Sequence, residues 1–191
     1  RVNLKYETMV RMKKAGCRLV VVGYESGSQN ALDGMHKRIT LEQSRKFDAA
    51  AKKAGMRVHG CFMVGNPGET KETMMETLNF AKSLRMDTAQ FFPLIVYPGT
   101  EAWTWAKQKN YITAKSYDEW LTPDGMHNCV FSTPKVSNKE FVDFCNYARR
   151  KFYLRPKYVL MKAVECLTDK DDFIRTVKSF KTFAKYLFKR G

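Results

Sequence analysis

The sequence lacks every cysteine arrangement that builds a metal knuckle, because no two of its five cysteines have Cys-x-x-Cys spacing. They are scattered along the chain at Cys17, Cys61, Cys129, Cys145 and Cys166. An odd and dispersed set of thiols is typical of a reducing compartment, so we expect a cytoplasmic protein without a disulfide framework. Histidine is also scarce, and the three present (His36, His59 and His127) are too dispersed for a metal triad or a general-base cluster.

Long hydrophobic runs are missing as well. No apolar stretch reaches the ~18 residues of a membrane-spanning helix, and residues 1–20 contain no block like the core of a secretory signal. The chain begins with Arg1 rather than Met, which we interpret as a sign that it belongs to something longer. With 191 residues and 44% hydrophobic side chains, it is large enough for a buried core of one domain or slightly more.

Positive charge is in excess, and it is concentrated toward the end of the chain. The formal net charge is +15, and from Asn146 onward 13 basic side chains face only 4 acidic ones. Two interpretations stay open: a solvated helix face, or a surface for an anionic partner such as RNA, a membrane surface or an acidic domain. Tail aromatics offer rings for base stacking, although most fit core positions better: Phe152, Tyr153, Tyr158, Phe180 and Phe183.

A repeated pattern organises the first half of the chain. Residues 14–27 and, 39 positions later, residues 53–70 each contain a helix end at Gly, an apolar strand and a glycine-bearing turn with a carboxylate. A weaker third copy spans residues 84–100 and ends in Tyr97-Pro98-Gly99-Thr100. Repeated strand–loop–helix units build a parallel sheet, and chemistry gathers where its strands end. The three glycine turns are expected at that edge.

The periodicity predicts an α/β region followed by helices. Strands are expected at 18–24, 57–64 and 88–96, with Pro93 interrupting the last, and helices at 6–14, 40–54, 70–84, 101–109, 137–153, 156–167 and 170–189. We divide the chain into an α/β part (1–110), an aromatic and turn-rich connecting loop (111–136) and a basic helical tail (137–191). Three strands are too few to close a barrel. The first would have a bare apolar edge, so either upstream strands are missing or two copies pair.

Four motifs in order carry a family resemblance. They are Gly23-Tyr24-Glu25-Ser26-Gly27, Lys37-Arg38-Ile39-Thr40, Phe62 to Thr70 with its Gly65-Asn66-Pro67-Gly68 turn, and Tyr97-Pro98-Gly99-Thr100. Over about residues 1–110 the chain resembles the radical S-adenosylmethionine (SAM) superfamily. More narrowly, it is similar to the branch associated with a cobalamin-binding domain, such as anaerobic magnesium-protoporphyrin IX monomethyl ester cyclase-like proteins. The implied fold is α/β: half of a partial (βα)6 TIM-like barrel, with parallel strands four to six, followed by a mostly α-helical C-terminal region.

The resemblance also implies cofactors and a reaction class. The parent protein would bind a [4Fe–4S] cluster and SAM, with cobalamin left open, and generate a 5′-deoxyadenosyl radical that acts on a small-molecule substrate. It would be an oxidoreductase, cyclase or methyltransferase. The family's Cys-x3-Cys-x2-Cys motif is absent from this sequence. We therefore expect a fragment that is inactive alone and needs the missing N-terminal half of the barrel, and we assign it no catalytic residue and no metal ligand.

Six residues are assigned to cofactor binding by the resemblance. Glu25 and Ser26 would touch the ribose or methionyl end of SAM, and Arg38, with Lys37, would pair with the methionyl carboxylate. Gly65 and Pro67 would let the backbone approach adenine, and Tyr97 would complete the adenine wall. From the residues alone, Glu25 is equally a turn carboxylate at the surface, Lys37 and Arg38 are equally solvated charges, and Glu69 is a cap or helix-dipole partner.

Two other functions stay open at this point. The basic helical tail suggests a module that binds RNA or another anion, with binding that weakens steeply as salt rises. The remaining option is an unrelated α/β domain that binds a nucleotide or phosphate. The bare first strand argues against a complete domain of that kind.

Overall fold

The computed structural model describes residues 2–121, 128–168, 173–174 and 176–178. Three strands and seven α-helices are defined among them, together with a short 3₁₀ helix at Tyr117–Trp120. In chain order they are α1 (Tyr6–Lys14), β1 (Leu19–Glu25), α2 (Gln29–Gly34), α3 (Leu41–Lys53), β2 (Arg57–Val64), α4 (Lys71–Ser83), β3 (Thr88–Pro93), α5 (Glu101–Gln108), α6 (Asn138–Tyr153) and α7 (Pro156–Thr168).

The strands form one parallel sheet in the order β1-β2-β3. Val20 pairs with Val58 and Cys61 with Gln90, so the carboxyl ends of all three strands meet at one edge, as the repeat predicts. The register shifts between Gly23 and Glu25, at the end of β1. Within the described part of the chain β1 pairs only with β2, and its side chains Leu19 and Val21, which share one face of the sheet, are 48% and 65% exposed. The fold is thus α/β with a parallel sheet, and β1 is an edge strand of that sheet.

The two faces of the sheet differ. Side chains alternate along each strand, and one set (Val22, Tyr24, Val58, Phe62 and Phe91) is buried. The rings of Tyr24, Phe62 and Phe91 stack across the three strands at centroid distances of 5.7 and 5.3 Å, and Phe47 of α3 meets Tyr24 edge-on at 6.4 Å. The alternate set is only partly buried or exposed. The core therefore lies on the helix-covered face.

Capping boxes begin three helices at the predicted residues. Thr40 accepts a hydrogen bond from the Gln43 N–H and Thr70 accepts one from the Thr73 N–H, and each is reciprocated at the cap. Ser137 and Glu140 exchange hydrogen bonds of 2.8 and 3.3 Å in the same way. Each box satisfies N–H groups that the first turn of a helix cannot pair by itself.

Two elements differ from the expectation. β3 ends at Pro93 rather than at residue 96, because its partner β2 ends at Val64, whose carbonyl oxygen accepts a last hydrogen bond from the Leu94 N–H at 2.7 Å. The helix α2 was not predicted. The predicted turn at 122–125 and most of the predicted helix at 170–189, with Phe180 and Phe183, lie outside the described residues.

The chain divides into two compact units, Arg1–Ala148 and Arg149–Gly191. The first contains the sheet, α1 to α5 and an isolated antiparallel bridge between Ile112 and Phe131. The second contains the end of α6 and all of α7. The proposed boundaries after residues 110 and 136 stay a prediction. Among the described helices, none combines the length and the apolar character needed to cross a bilayer.

Candidate functional site

A cleft of about 640 Å³ opens where β1 ends. The end of β1 supplies Gly23 and Glu25, and the loop between α2 and α3 supplies the other principal walls, His36, Lys37 and Arg38. The unpredicted helix α2 therefore has a clear role: it returns the chain so that the Lys37-Arg38 motif lies opposite the carboxyl end of β1.

The backbone of this cleft is held in an uncommon conformation. Glu25, His36 and Arg38 have φ values of 64°, 52° and 52°, in the left-handed region. Only one other non-glycine residue of the described chain, Asn110, shares it. Such conformations cost of order 1–3 kcal/mol each and cluster where a side chain must be aimed precisely. Their concentration in one cleft marks it as the candidate site.

Glu25 and Lys37 form an ion pair across the cleft. The Lys37 Nζ lies 2.5 Å from the Glu25 Oε1, with the two side chains 35% and 15% exposed. The carboxylate folds back over Gly23, where an added Cβ would come within 2.3 Å of the same oxygen. Glycine at position 23 is therefore a steric requirement of this pair.

Arg38 is the second cation of the cleft, and its side chain is exposed. Among the described residues, none forms an ion pair or hydrogen bond with it. Its neighbour His36 approaches Glu101 at the start of α5, with 3.9 Å between Nε2 and Oε1. The cleft thus combines one paired carboxylate, its lysine and a guanidinium whose planar fork suits a carboxylate ligand.

Ser26 does not point into the cleft. It is fully buried, its Oγ lies 3.0 Å from the Thr77 Oγ1 of α4, and it accepts a hydrogen bond from the Ser28 N–H. The Gly27 N–H donates to the same threonine oxygen at 3.0 Å. These hydrogen bonds attach the loop after β1 to α4. Ser26 thereby helps to fix the position of the neighbouring Glu25.

Gly65 lies in a turn that is braced from inside by Glu69. The Glu69 Oε2 accepts hydrogen bonds from the backbone N–H groups of Gly65 (2.6 Å) and Asn66 (3.0 Å). Burial raises the pKa of the Glu69 carboxyl, although these bonds oppose the shift. Gly65 has φ 100°, and a Cβ there would lie 2.7 Å from the ring of Phe131. Position 65 therefore requires glycine, because of its positive φ and because of the close approach of the Phe131 ring.

Pro67 and Tyr97 occupy different parts of the same sheet edge. The Pro67 carbonyl oxygen is the nearest atom, at 3.8 Å, to a Cβ built on Gly34 at the end of α2, so the turn after β2 lies beside the wall of the cleft. Tyr97 follows β3, is 50% exposed and contacts Trp120 at a centroid distance of 5.7 Å. It belongs to an aromatic cluster completed by Trp103, Tyr117 and Trp120.

The less buried face of the sheet carries polar side chains that were not assigned to the site. The His59 Nδ1 lies 2.7 Å from the Thr88 Oγ1, and Cys61 is in register with Gly23 on one side and Gln90 on the other. Burial, with a smaller contribution from Glu25, raises the pKa of the Cys61 thiol and keeps it protonated at neutral pH. Within the described residues, no group of three His, Cys, Asp or Glu side chains is arranged to hold a metal ion.

Comparison with known proteins relates the chain to a family. Residues 2–81 match the model described as the radical SAM superfamily. The chain is 36% identical to an uncharacterized methyltransferase of Pyrococcus horikoshii, covering 86% of this chain and 35% of that protein. It is 24% identical to the anaerobic magnesium-protoporphyrin IX monomethyl ester cyclase of Rubrivivax gelatinosus, covering 77% and 25%. The chain thus spans about a quarter to a third of these relatives.

A solved structure extends the likeness to the fold. The radical SAM methyltransferase TsrM from Kitasatospora setae, described with cobalamin and a [4Fe–4S] cluster bound, aligns with a TM-score of 0.56 at 18% identity, over 81% of this chain and 35% of that one. At this identity the likeness concerns the fold, a partial α/β TIM-like barrel with a helical region. From the family match and the similar relatives together, the chain belongs to the radical SAM superfamily.

Proposed function

We propose that this chain is the C-terminal part of a radical SAM barrel and that its cleft binds the methionyl end of SAM. The observation that carries the proposal is the meeting of Glu25, Lys37 and Arg38 on a strained backbone at the carboxyl end of β1. The methionyl group is a zwitterion, with an ammonium and a carboxylate on one carbon. A site that offers one carboxylate and two cations matches both charges.

Binding in this proposal is an exchange of partners. Glu25 turns from the Lys37 Nζ to the ligand ammonium, and Lys37 and Arg38 take the ligand carboxylate. The bonds to the ligand replace this pair inside the cleft, so that each charge keeps a partner of opposite sign. Ser26 acts by holding the loop rather than by touching the ligand.

The adenine end is proposed to lie along the sheet edge toward the turn after β2. Gly65 and Pro67 would present backbone there, with Tyr97 beyond them. The N–H groups of Gly65 and Asn66 already donate to Glu69. The turn would therefore contact adenine through its surface and its carbonyl oxygens, because these two N–H groups already have an acceptor.

The cluster does not fit the residues of this chain. A [4Fe–4S] cluster in such an enzyme needs thiolates grouped at short spacing, whereas the nearest cysteines in sequence here are 16 residues apart. We propose that the ligands, and the strands that would pair with the bare edge of β1, belong to another part of the parent protein. Reductive cleavage of SAM would supply the 5′-deoxyadenosyl radical there, and no step of it is assigned to a side chain of this fragment.

The parent is proposed to act on a small molecule, since relatives include a methyltransferase and a cyclase of a magnesium porphyrin ester. The less buried face of the sheet, with His59, Cys61 and Gln90, would line the substrate side of the barrel. No described residue is assigned to cobalamin.

Equilibrium dialysis with radiolabelled SAM tests the proposal. We expect saturable binding to the wild-type chain and about tenfold weaker binding to Arg38→Gln, because a charge-assisted hydrogen bond to the carboxylate is lost. Lys107→Gln, an exposed cation of α5 that does not line the cleft, is the matched control and should bind as the wild type does. Absence of wild-type binding, or equal losses in the two variants, would contradict the assignment.

A further inference from the structure

The helix α7 exposes its two leucines, whereas two of its three charged side chains are sheltered. Leu160 and Leu167, two turns apart on one face, are 67% and 87% exposed. The side chains of Lys162 and Glu165 are only 18% and 24% exposed. A helix on the surface of a globular protein normally has the opposite arrangement, so this one is inverted with respect to water.

Contacts on the sheltered side fix the orientation. The Lys162 Nζ lies 2.7 Å from the Glu165 Oε2 and 5.7 Å from the ring of Tyr158, which is buried. The Arg155 guanidinium lies 4.0 Å from the ring centroid of Phe152 and 5.5 Å from that of Tyr158. Tyr158 of α7 also contacts the rings of Phe152 and Tyr153 of α6, at centroid distances of 5.5 and 5.2 Å. Rotating α7 to bury the leucines would separate Tyr158 from these rings and from Arg155. The exposed apolar face is therefore a stable feature of the second unit.

Other large apolar side chains of the second unit are exposed as well. Val159 of the same helix is 53% exposed, and Leu154, Phe173 and Ile174 of the same unit are each more than half exposed. Large apolar side chains are left in water singly on most proteins, but a group of them in one small unit marks a surface that meets something apolar.

The net charge of the second unit indicates what kind of surface it meets. Residues 149–191 contain 13 Lys and Arg against 4 Asp and Glu, an excess of nine positive charges. Lys157 is exposed one turn before Leu160, and Arg150 and Lys151 are exposed at the end of α6. An apolar helix face bordered by cations is the arrangement of helices that lie in the headgroup layer of an anionic bilayer, where the leucines enter the acyl boundary and the cations meet lipid phosphates.

We propose that the second unit docks on an anionic membrane surface through the α7 face formed by Leu160 and Leu167. A protein surface would also cover the leucines. The bilayer accounts for the excess of cations as well, because one surface then supplies both the apolar phase and the negative charge. The helix lies on the membrane and does not cross it.

Co-sedimentation of the full chain with extruded vesicles tests this surface. We expect binding to vesicles of three parts phosphatidylcholine to one part phosphatidylglycerol, and at least about tenfold weaker binding to phosphatidylcholine alone. Leu160→Asp/Leu167→Asp should weaken binding to the anionic vesicles by at least about tenfold, since the apolar contact is lost. Met75→Asp, which changes a 37% exposed residue of α4 in the other unit, should leave it unchanged.

Two further measurements keep the outcomes separate. Arg150→Gln/Lys157→Gln should weaken binding by about fivefold for each charge removed, and circular dichroism should show that every variant retains its helices. Light scattering should show a monomer without vesicles. Failure to bind anionic vesicles, or unchanged binding of the double aspartate variant, would overturn the proposal. So would a dimer that the aspartates dissociate while vesicles stay unbound, which would assign the face to a protein contact.

Discussion

At the scale of single residues, the cleft depends on the absence of a side chain at Gly23. The Glu25 carboxylate occupies the space above Gly23, and it is there that it meets Lys37. The φ of 64° at Glu25 directs the side chain to that place. A ligand that takes Glu25 from Lys37 needs the same space above the backbone.

Gly23→Ala should therefore impair binding more than folding. The added methyl group displaces the carboxylate, and we expect SAM affinity in equilibrium dialysis to fall by about tenfold, the worth of one charge-assisted hydrogen bond. The free energy of unfolding in urea should change by less than about 1 kcal/mol, because a partly exposed ion pair contributes little. Gly34→Ala is the control: its φ is not positive, and the nearest atom to its Cβ is 3.8 Å away. A Gly23→Ala chain that binds SAM normally would refute the steric argument.

At the scale of elements, one buried carboxylate holds the turn between β2 and α4. Glu69 is 3% exposed and closes the turn on the N–H groups of Gly65 and Asn66. Removing this acceptor in Glu69→Ala leaves two N–H groups without their partner and should cost about 1–3 kcal/mol for each that stays buried and unpaired. The urea midpoint followed by circular dichroism measures that loss.

The same residue predicts a pH dependence. Burial raises the pKa of Glu69 above its ordinary 4.5, so its stabilising contribution is complete below that value and is lost as pH rises through the folded-state pKa. Relative to Glu69→Gln, which has no ionising group there, wild-type stability should decline as pH rises above about 4.5. Urea unfolding of both chains across pH 4 to 8 measures the difference. A difference that is flat with pH, or that grows in favour of the wild type, would show that the turn's hydrogen bonds outweigh burial.

Local pattern predicted most elements because each is determined by nearby residues. α1 and β2 begin and end at the predicted residues, since Gly16 follows α1, Gly55 ends the helix before β2, and an apolar alternation defines the strand. The caps at Thr40 and Thr70 follow from short-range hydrogen bonds. The resemblance of the glycine turns to a known family supplied the fold that three strands alone did not specify.

Long-range contacts explain what the sequence did not reveal. The first residue of α2, Gln29, donates a hydrogen bond to the Ile39 carbonyl oxygen and accepts one from the Leu41 N–H. These partners of Gln29 lie ten or more residues away along the chain. The Ser26 hydroxyl meets Thr77, 51 positions along the chain. The pairing of Glu25 with Lys37 likewise arises only after the loop has folded back. No periodic pattern reports such contacts.

At the scale of the whole molecule, the functional surfaces divide between the two units. The first unit collects three strand ends and the cleft at one edge. The second unit contributes an inverted helix and most of the positive charge excess. Ligand chemistry is thus proposed for Arg1–Ala148, and attachment to a surface for the remainder.

Titration of the ¹⁵N-labelled chain with SAM, followed by amide chemical shifts, tests the central claim most directly, because it locates the ligand on the chain. The account predicts that the largest shifts fall in residues 23–25 and 36–38 at the cleft, with smaller ones at 65–67 along the same sheet edge. Residues 149–168 of the second unit should stay unchanged. Shifts confined to the second unit, or none at saturating SAM, would contradict the claim that this sheet edge carries part of a SAM site.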